Sequence, residues 1–244
     1  MATVPTHTSA FTGFRPEAIQ FFADLVDNNN RDWFQPRKAE FERLVKEPME
    51  ALVAACADRF AARGVPLLAD PKKAVWRIYR DTRFSKDKSP YKRHLAANFP
   101  YVERAGGVET PDTGAHGNGG YFNFQPGEMY VGGGMWMPDK DRLTAFRRAV
   151  IDEPDRVREA LEDPGFVQAF GGVSSHEPMK RVPTGFPADH PRADLLKLRD
   201  VVFGRRLSDE EVLSPNLPDI VTEAFVAAVP VFRFLSKLRG RAEG

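Results

Sequence analysis

The sequence has few of the residues and motifs that mark several familiar classes of protein. Its 244 residues include one cysteine, Cys56, which excludes an internal disulfide and a cysteine-rich zinc site. The five histidines show no HxH, HxxxH or HExxH spacing, so we predict no metal site. No apolar run reaches the roughly 20 residues that cross a bilayer, and residues 1–10 lack the pattern of a secretory signal. We therefore expect a soluble, cytoplasmic protein that does not contact membranes.

Motifs for phosphate binding and nucleophilic catalysis are also missing. The glycine run at residues 132–134 is not followed by the Lys and Ser or Thr of a P-loop, and no GxGxxG occurs. There is no GxSxG either, and Ser85 and Ser89 lie in a loop without an assignable base. The glycine run is typical of a strand that leaves room for another segment or a ligand, or of a β-bulge. The sequence identifies no cofactor and leaves enzymatic activity open.

Apolar residues recur at helical spacing near both ends of the chain. Pro16 suits the first turn of a helix, and Pro48 is expected to kink or restart the helix in which it lies. Asp139 is a suitable N-cap, and Ser208 with Glu211 fits a capping box. The predicted helices cover about residues 16–27, 33–64, 139–150, 154–161, 164–170 and 218–238.

The middle of the chain has the two-residue alternation of β-strands. We expect strands at residues 73–83, 94–101, 121–125, 129–137 and 201–203, and a flexible excursion at the glycine-rich residues 104–120. Helices, then strands, then helices is an α+β order. We predict a single domain over residues 11–238, with a central, mostly antiparallel sheet flanked by N-terminal and C-terminal helices. Residues 1–10 and 239–244 are expected to be tails.

Positive charge is concentrated in residues 76–94 (WRIYRDTRFSKDKSPYKRH), which we call the basic segment. It contains seven basic and two acidic residues, whereas the remainder of the chain contains 28 basic and 32 acidic residues. A run of charge is usually a solvated face, but a solvated loop has no need of apolar and aromatic side chains. This segment carries five of them between its charges: Trp76, Ile78, Tyr79, Phe84 and Tyr91. We therefore interpret it as the functional centre.

The basic segment predicts a pocket for a small ligand that carries a phosphate or a carboxylate. Arginine binds such groups through a planar fork, and lysine adds point charges. Aromatic rings beside them could stack on a base or a sugar. The predicted ligand-binding residues are Arg77, Arg80, Arg83, Lys86, Lys88, Tyr91, Lys92, His94, Lys180, Arg181 and His190, although a structural role in its loop is favoured for His190. The candidates for proton transfer, should there be a reaction, are Tyr79, Asp81 and Tyr121.

Two other functions fit the same residues. In a structural or protein-interaction role, the arginines would form an internal ion-pair network, with Asp81 as the candidate partner of a buried guanidinium. In single-stranded nucleic-acid binding, which we rank last, Trp76, Phe84 and Tyr91 would be the stacking platforms. The near-neutral charge of the whole chain argues against a protein that coats nucleic acid.

Several long stretches of the chain resemble one family. They are NNNRDWF (28–34), RIYRDTRFSKDKSPYKRH (77–94), YVGGGMWMP (130–138), GFPADHPRADLLKLR (185–199), and LSPNL (213–217) with PVFRFL (230–235). The chain is similar in these stretches to the DUF2461 family of bacterial and fungal proteins, over about residues 11–238. The resemblance implies a single folded domain and assigns no catalytic role to any residue.

Overall fold

The computed structural model of the protein describes residues 10–83, 85–105, 108–112 and 117–238. The N-terminal helix α1 (Pro16–Asp27) begins at Pro16 as predicted, because proline lacks the N–H that a first helical turn leaves unbonded. The next helical region is broken into α2 (Arg31–Phe34), α3 (Lys38–Phe41) and α4 (Glu47–Arg63). A π turn directly precedes α4, which agrees with the predicted kink, since Pro48 cannot donate the usual backbone hydrogen bond.

The remaining helices lie mostly in the C-terminal half. They are α5 (Pro71–Ala74), α6 (Lys140–Asp152), α7 (Pro154–Leu161), α8 (Pro164–Phe170), α9 (Ala193–Leu196), α10 (Asp209–Leu213) and α11 (Leu217–Ser236). Asp139 caps α6, and Ser208 and Glu211 form the predicted capping box of α10. None of the helices in the described part of the chain is long and apolar enough to cross a membrane.

Four antiparallel strands form the central sheet. They are β1 (Leu95–Pro100), β4 (Asn118–Phe124), β5 (Tyr130–Met135) and β6 (Val201–Arg206), in the order β1-β4-β5-β6. Two further strands, β2 (Val102–Ala105) and β3 (Val108–Pro111), pair as a hairpin between β1 and β4. The sheet and its flanking helices confirm the predicted α+β fold.

Two predictions about the middle of the chain were wrong. Residues 73–83 form no regular strand, because they pair with the chain only at Val75–Ala97 and Tyr79–Tyr91, and the proline at position 90 has no N–H for a ladder. Part of the stretch 104–120 forms the β2–β3 hairpin, because Val108 and Thr110 in it are strand-forming residues, while residues 106–107 and 113–116 lie outside the described residues.

The sheet has two different faces. Its core face carries buried apolar side chains at alternate positions of every strand, among them Phe99, Phe122, Val131 and Phe203. Helix α11 packs on this face very closely: a Cβ atom at Gly120 would lie 2.7 Å from the ring of Phe225, and one at Gly133 would lie 2.9 Å from the ring of Phe232. The opposite side, which we call the outer face, carries the intervening residues.

The glycine run of β5 is explained by packing within the sheet. Both neighbouring strands pair with β5 in continuous register, so no residue is inserted and no bulge is present at residues 132–134. Gly134 has a φ of 113°, and a Cβ atom there would lie 2.1 Å from the carbonyl oxygen of Val201 on β6. The glycines therefore let β5 approach its neighbours and α11.

Candidate functional site

The basic segment is anchored in the core by Tyr91. Its ring is 1% exposed and stacks on Phe34, with the ring centroids 4.0 Å apart. The Asn29 side chain accepts a hydrogen bond from the backbone N–H of Tyr91 (3.1 Å) and donates one to its carbonyl (3.0 Å). Two of the stretches that resemble the family, residues 28–34 and 77–94, therefore meet at this contact. Tyr91, predicted to stack on a ligand, is a core residue and is not accessible to one.

Arg80 closes the loop of the basic segment. Its guanidinium donates hydrogen bonds to the carboxylate of Asp87 and to the hydroxyls of Ser89 and Ser85. The Ser89 N–H and the Arg80 guanidinium together hold the pKa of Asp87 well below its usual value. The partly buried guanidinium of Arg80 is therefore paired with Asp87, whereas the sequence suggested Asp81.

Arg83 and Lys88 are also engaged within this loop. Arg83 forms a fork with Asp81, with atoms 2.7 and 3.0 Å apart, and this pair lowers the pKa of Asp81. Both side chains are exposed, so the pair adds little to stability. Lys88 donates to the carbonyl of Thr82 at 3.0 Å. Of the three predicted anion-clamping arginines, only Arg77 is left without an acid partner in the described residues.

Arg77, Lys92 and His94 form a group of basic side chains, which we call the cationic cluster; the charge at neutral pH comes from Arg77 and Lys92. Burial lowers the pKa of Lys92, and the charge of Arg77 lowers it further. Burial also lowers the pKa of His94, with a further contribution from Lys92. Within the part of the chain that is described, no carboxylate forms an ion pair with these three residues. The Asp81 carboxylate interacts with the charge of Arg77, but its hydrogen bonds go to Arg83. Lys86 and Arg93 of the same segment are exposed.

Three aromatic rings follow one another across the outer face, and we call them the aromatic row. The ring centroids of Trp76 and Tyr121 are 5.4 Å apart, and those of Tyr121 and Tyr130 are 5.6 Å apart. Trp76 and Tyr130 are 42% and 36% exposed. The ammonium of Lys92 lies 4.8 Å from the centre of the Trp76 ring, which is a cation–π distance. At the other end, Arg206 is opposite Tyr130 in the register of β5 and β6.

The positions of these rings follow from strand alternation. On β4, Phe122 and Phe124 point into the core, so Tyr121 points outward. On β5, Val131 points into the core, so the adjacent Tyr130 points outward. Tyr121 was predicted as a site residue, whereas Tyr130 and the contact with Trp76 were not predicted. The alternation of inward-pointing phenylalanines is the sequence pattern that indicates which tyrosines point outward.

Tyr121 and Tyr130 are hydrogen-bonding groups that keep their protons at neutral pH. Burial raises the pKa of both hydroxyls, and the neighbouring Tyr130 raises the pKa of Tyr121 further. Tyr121 donates to the Asn123 side chain at 3.4 Å, and Asn123 in turn donates to the carbonyl of Glu128 at 2.9 Å. Tyr121 therefore suits the role of a hydrogen-bond donor and does not suit that of a general base.

A surface pocket of about 350 Å³ lies beside the Tyr130 end of the row. The Arg206 guanidinium is exposed there and donates to the carbonyl of Gly127 at 3.1 Å, while the Glu128 carboxylate accepts from Gln125 at 2.9 Å. The floor of the pocket includes Gly204, where an added Cβ atom would come no closer than 3.5 Å to any other atom. Because Gly204 has no side chain, it leaves this part of the pocket unfilled.

The second group of predicted ligand residues lies at the other edge of the sheet. Residues 178–199 come shortly after Ser174, which pairs with Val202 on the edge strand β6. The basic segment pairs with β1, which is the strand at the opposite edge. Lys180 and Arg181 are exposed, and His190 accepts a hydrogen bond from the backbone N–H of Arg192 at 3.1 Å. No hydrogen bond, ion pair or ring contact joins this stretch to the basic segment in the described ranges. The two motifs do not form one pocket.

Buried Arg147 of α6 explains part of this second motif. Its guanidinium donates at 2.9 Å to the carbonyls of both Leu196 and Leu198. It therefore fixes the end of the proline-rich stretch against α6, which is a structural role. Among the residues that the structure describes, no three or more His, Cys, Asp or Glu side chains are grouped so that they could hold a metal ion.

Comparison with known proteins gives one match. No curated protein and no solved structure matches the chain. The family described as conserved hypothetical protein (DUF2461) matches residues 17–234, which is most of the chain and includes the basic segment, the outer-face strands and α11. The chain therefore belongs to the DUF2461 family.

Proposed function

We propose that the protein binds a small ligand that carries a planar ring together with a phosphate or a carboxylate. The ring lies on Trp76 and Tyr121, and the anionic group lies at the cationic cluster. The observation that carries this proposal is that Arg77, Lys92 and His94 gather beside an exposed tryptophan and that, in the described residues, no carboxylate forms an ion pair with them.

Electrostatics favours an anion at this position. Burial and neighbouring positive charge depress the pKa of a basic side chain, and an anion beside it favours its charged form. The interaction is stronger here than in water, because Lys92 and His94 are partly buried. The Arg80 and Arg83 guanidiniums, by contrast, are already bonded to carboxylates and contribute to the shape of the loop.

The aromatic row supplies the second part of the site. A planar ring on an exposed indole contributes about 1–3 kcal/mol of binding free energy. The Tyr121 phenol remains protonated and donates its proton to Asn123, so its oxygen can accept a hydrogen bond from the ligand. These groups support a binding function, with Tyr121 positioned to orient the ligand.

The test is calorimetric titration with adenosine monophosphate and phenyl phosphate, each compared with the parent compound that lacks the phosphate. We expect the phosphorylated compounds to bind more tightly by roughly tenfold or more, which is about 1.4 kcal/mol. Replacing Lys92→Met removes the charge but keeps the apolar stem on Trp76, so it should abolish that preference. Trp76→Leu should weaken both the phosphorylated and the unphosphorylated compounds.

Two control variants isolate the site. Arg83→Met removes an exposed arginine of the same segment that is paired with Asp81, and Trp136→Leu removes another exposed tryptophan, 50% exposed, six residues along the chain from Tyr130. Neither change should alter the affinity. If the phosphate makes no difference to binding, or if Arg83→Met weakens binding as much as Lys92→Met, the proposed site is wrong.

A further inference from the structure

The aromatic row is longer than a single ring-bearing ligand requires. It starts at Trp76, which is bonded to β1 through a backbone hydrogen bond to Ala96 of 2.9 Å, and it ends at Tyr130 on β5. Arg206 on β6 continues it. From the Trp76 segment to β6 there are four inter-strand steps of about 4.8 Å, so the surface is roughly 19 Å wide. One base and one phosphate cannot contact both ends.

Charge follows the same line. The cationic cluster lies at the Trp76 end, and the exposed guanidinium of Arg206 lies at the Tyr130 end. Exposed Arg93 lies between Lys92 and His94 in the chain and adds positive charge to the first end. An extended polyanion with planar rings matches this alternation of cations and aromatic surfaces.

We propose that the outer face binds single-stranded nucleic acid, with about two or three bases on the aromatic row and the backbone phosphates between the cationic cluster and Arg206. This inference rests on the proposed binding function and names its ligand class. A four-stranded antiparallel sheet with helices on one side and aromatic side chains on the other has the architecture that lets unpaired bases stack on central strands. Here α11 and α8 contact the sheet through core-face rings, while Trp76 and Tyr130 on the outer face are exposed and Tyr121 between them is partly buried.

A duplex does not fit this surface. Its bases are stacked on one another and paired, so their planes cannot reach rings that stand on a sheet. The Asn98 side chain is opposite Tyr121 in the register of β1 and β4, where its amide can bond the edge of an unpaired base. These features select an open strand of either DNA or RNA.

One acid shapes the path of the strand. The Glu128 carboxylate lines the pocket beside Tyr130 and is held by Gln125. Because it repels phosphate, the backbone passes on the side of Arg206. Removing this charge with Glu128→Gln should strengthen binding, whereas removing the guanidinium with Arg206→Met should weaken it. Opposite effects of the two neighbouring charges indicate that negative charge of the bound strand lies at this end of the row.

The experiment is fluorescence anisotropy with labelled oligouridylate and oligothymidylate of about six nucleotides. We expect each strand to bind at least tenfold more tightly than the corresponding mononucleotide, and a short duplex to bind weakly. With about three phosphates contacted, the affinity should fall roughly 20-fold between about 50 and 200 mM salt. Equal binding of DNA and RNA would mean that the phosphates and bases suffice, and tighter RNA binding would add a contact to the 2′-hydroxyl.

Variants separate this inference from the proposed function. Tyr130→Leu and Arg206→Met should weaken the oligonucleotide at least fivefold and leave the mononucleotide unchanged, while Tyr130→Phe keeps the ring and should keep the affinity. Arg233→Met removes an exposed arginine of α11 and is the matched control. If the strand binds no more tightly than the mononucleotide, or if the duplex binds equally well, the inference is wrong and the proposed function stands. If neither binds, both are wrong.

Discussion

The replacement Asn29→Ala tests how the basic segment is held against the core. Asn29 bonds both the N–H and the carbonyl of Tyr91, 62 residues later in the chain, at 3.1 and 3.0 Å. The ring of Tyr91 is buried against Phe34, so water does not readily replace these bonds. Alanine would leave one donor and one acceptor without partners.

The expected cost follows from those two groups. Each lost hydrogen bond to a partly buried backbone group costs about 1–2 kcal/mol, so Asn29→Ala should lower the free energy of unfolding by about 2–4 kcal/mol. A loss of about 3 kcal/mol corresponds to a melting temperature lower by roughly 6–12 °C in a protein of this size. The neighbouring asparagines provide matched controls. Asn30 caps α2, so its replacement should cost about 1 kcal/mol; the side chain of Asn28 makes only an exposed hydrogen bond to the Asp24 carbonyl, so its replacement should cost about 0.5 kcal/mol or less.

Urea denaturation of the three alanine variants measures these differences directly. Binding of adenosine monophosphate provides a second measurement, because Lys92 follows Tyr91 and loses its fixed position when the anchor is removed. We expect Asn29→Ala to weaken binding and the other two variants to leave it unchanged. If Asn29→Ala is no less stable than Asn28→Ala, the two hydrogen bonds do not hold the segment, and the reasoning is refuted.

Two further predictions concern the sheet and pH. Gly134→Ala should lower the free energy of unfolding by more than about 2 kcal/mol, because the backbone there has a positive φ and the new Cβ atom would overlap the Val201 carbonyl. Gly204→Ala is the control and should change the free energy of unfolding by less than about 1 kcal/mol. Urea denaturation measures both, and equal effects would contradict the packing argument. The depressed pKa of His94 means that the unfolded chain binds its proton first, so the protein should lose stability as the pH falls below about 6.5. His94→Gln should remove that part of the pH dependence, measured as the melting temperature between about pH 7.5 and 5.5; an unchanged pH profile would show that His94 is not its source.

Local chemistry made most helix boundaries predictable. Pro16, Asp139 and the Ser208–Glu211 box act within one turn of the helix, so the residues that decide the boundary lie next to it in the sequence. The strands β4 and β5 were predictable for a similar reason, because alternating aromatic and apolar residues flank a short turn.

The basic segment was not predictable, because its conformation depends on residues far along the chain. Its alternation resembles a strand, but Asn29 and Phe34 bind Tyr91 and the Arg80–Asp87 pair closes the loop, so only isolated bridges form. Short-range periodicity contains no information on such partners.

The candidate site was found in part. The charge pattern located the cationic cluster, which lies within the segment that the sequence singled out. It did not distinguish Arg77 and Lys92 from Arg80 and Arg83, whose acid partners depend on the fold of the loop. The aromatic row joins Trp76 to a tyrosine 45 residues away, and such a contact exists only once the sheet has formed.

The close approach of α11 to the sheet has a practical consequence for anyone who wishes to engineer this protein. At Gly120 and Gly133 the rings of Phe225 and Phe232 reach the backbone itself, so a single layer of peptide separates the helix from the surface that carries Tyr121 and Tyr130. A larger side chain on that helix would bend the floor beneath those tyrosines. A graft of the outer face onto another scaffold would therefore have to include α11.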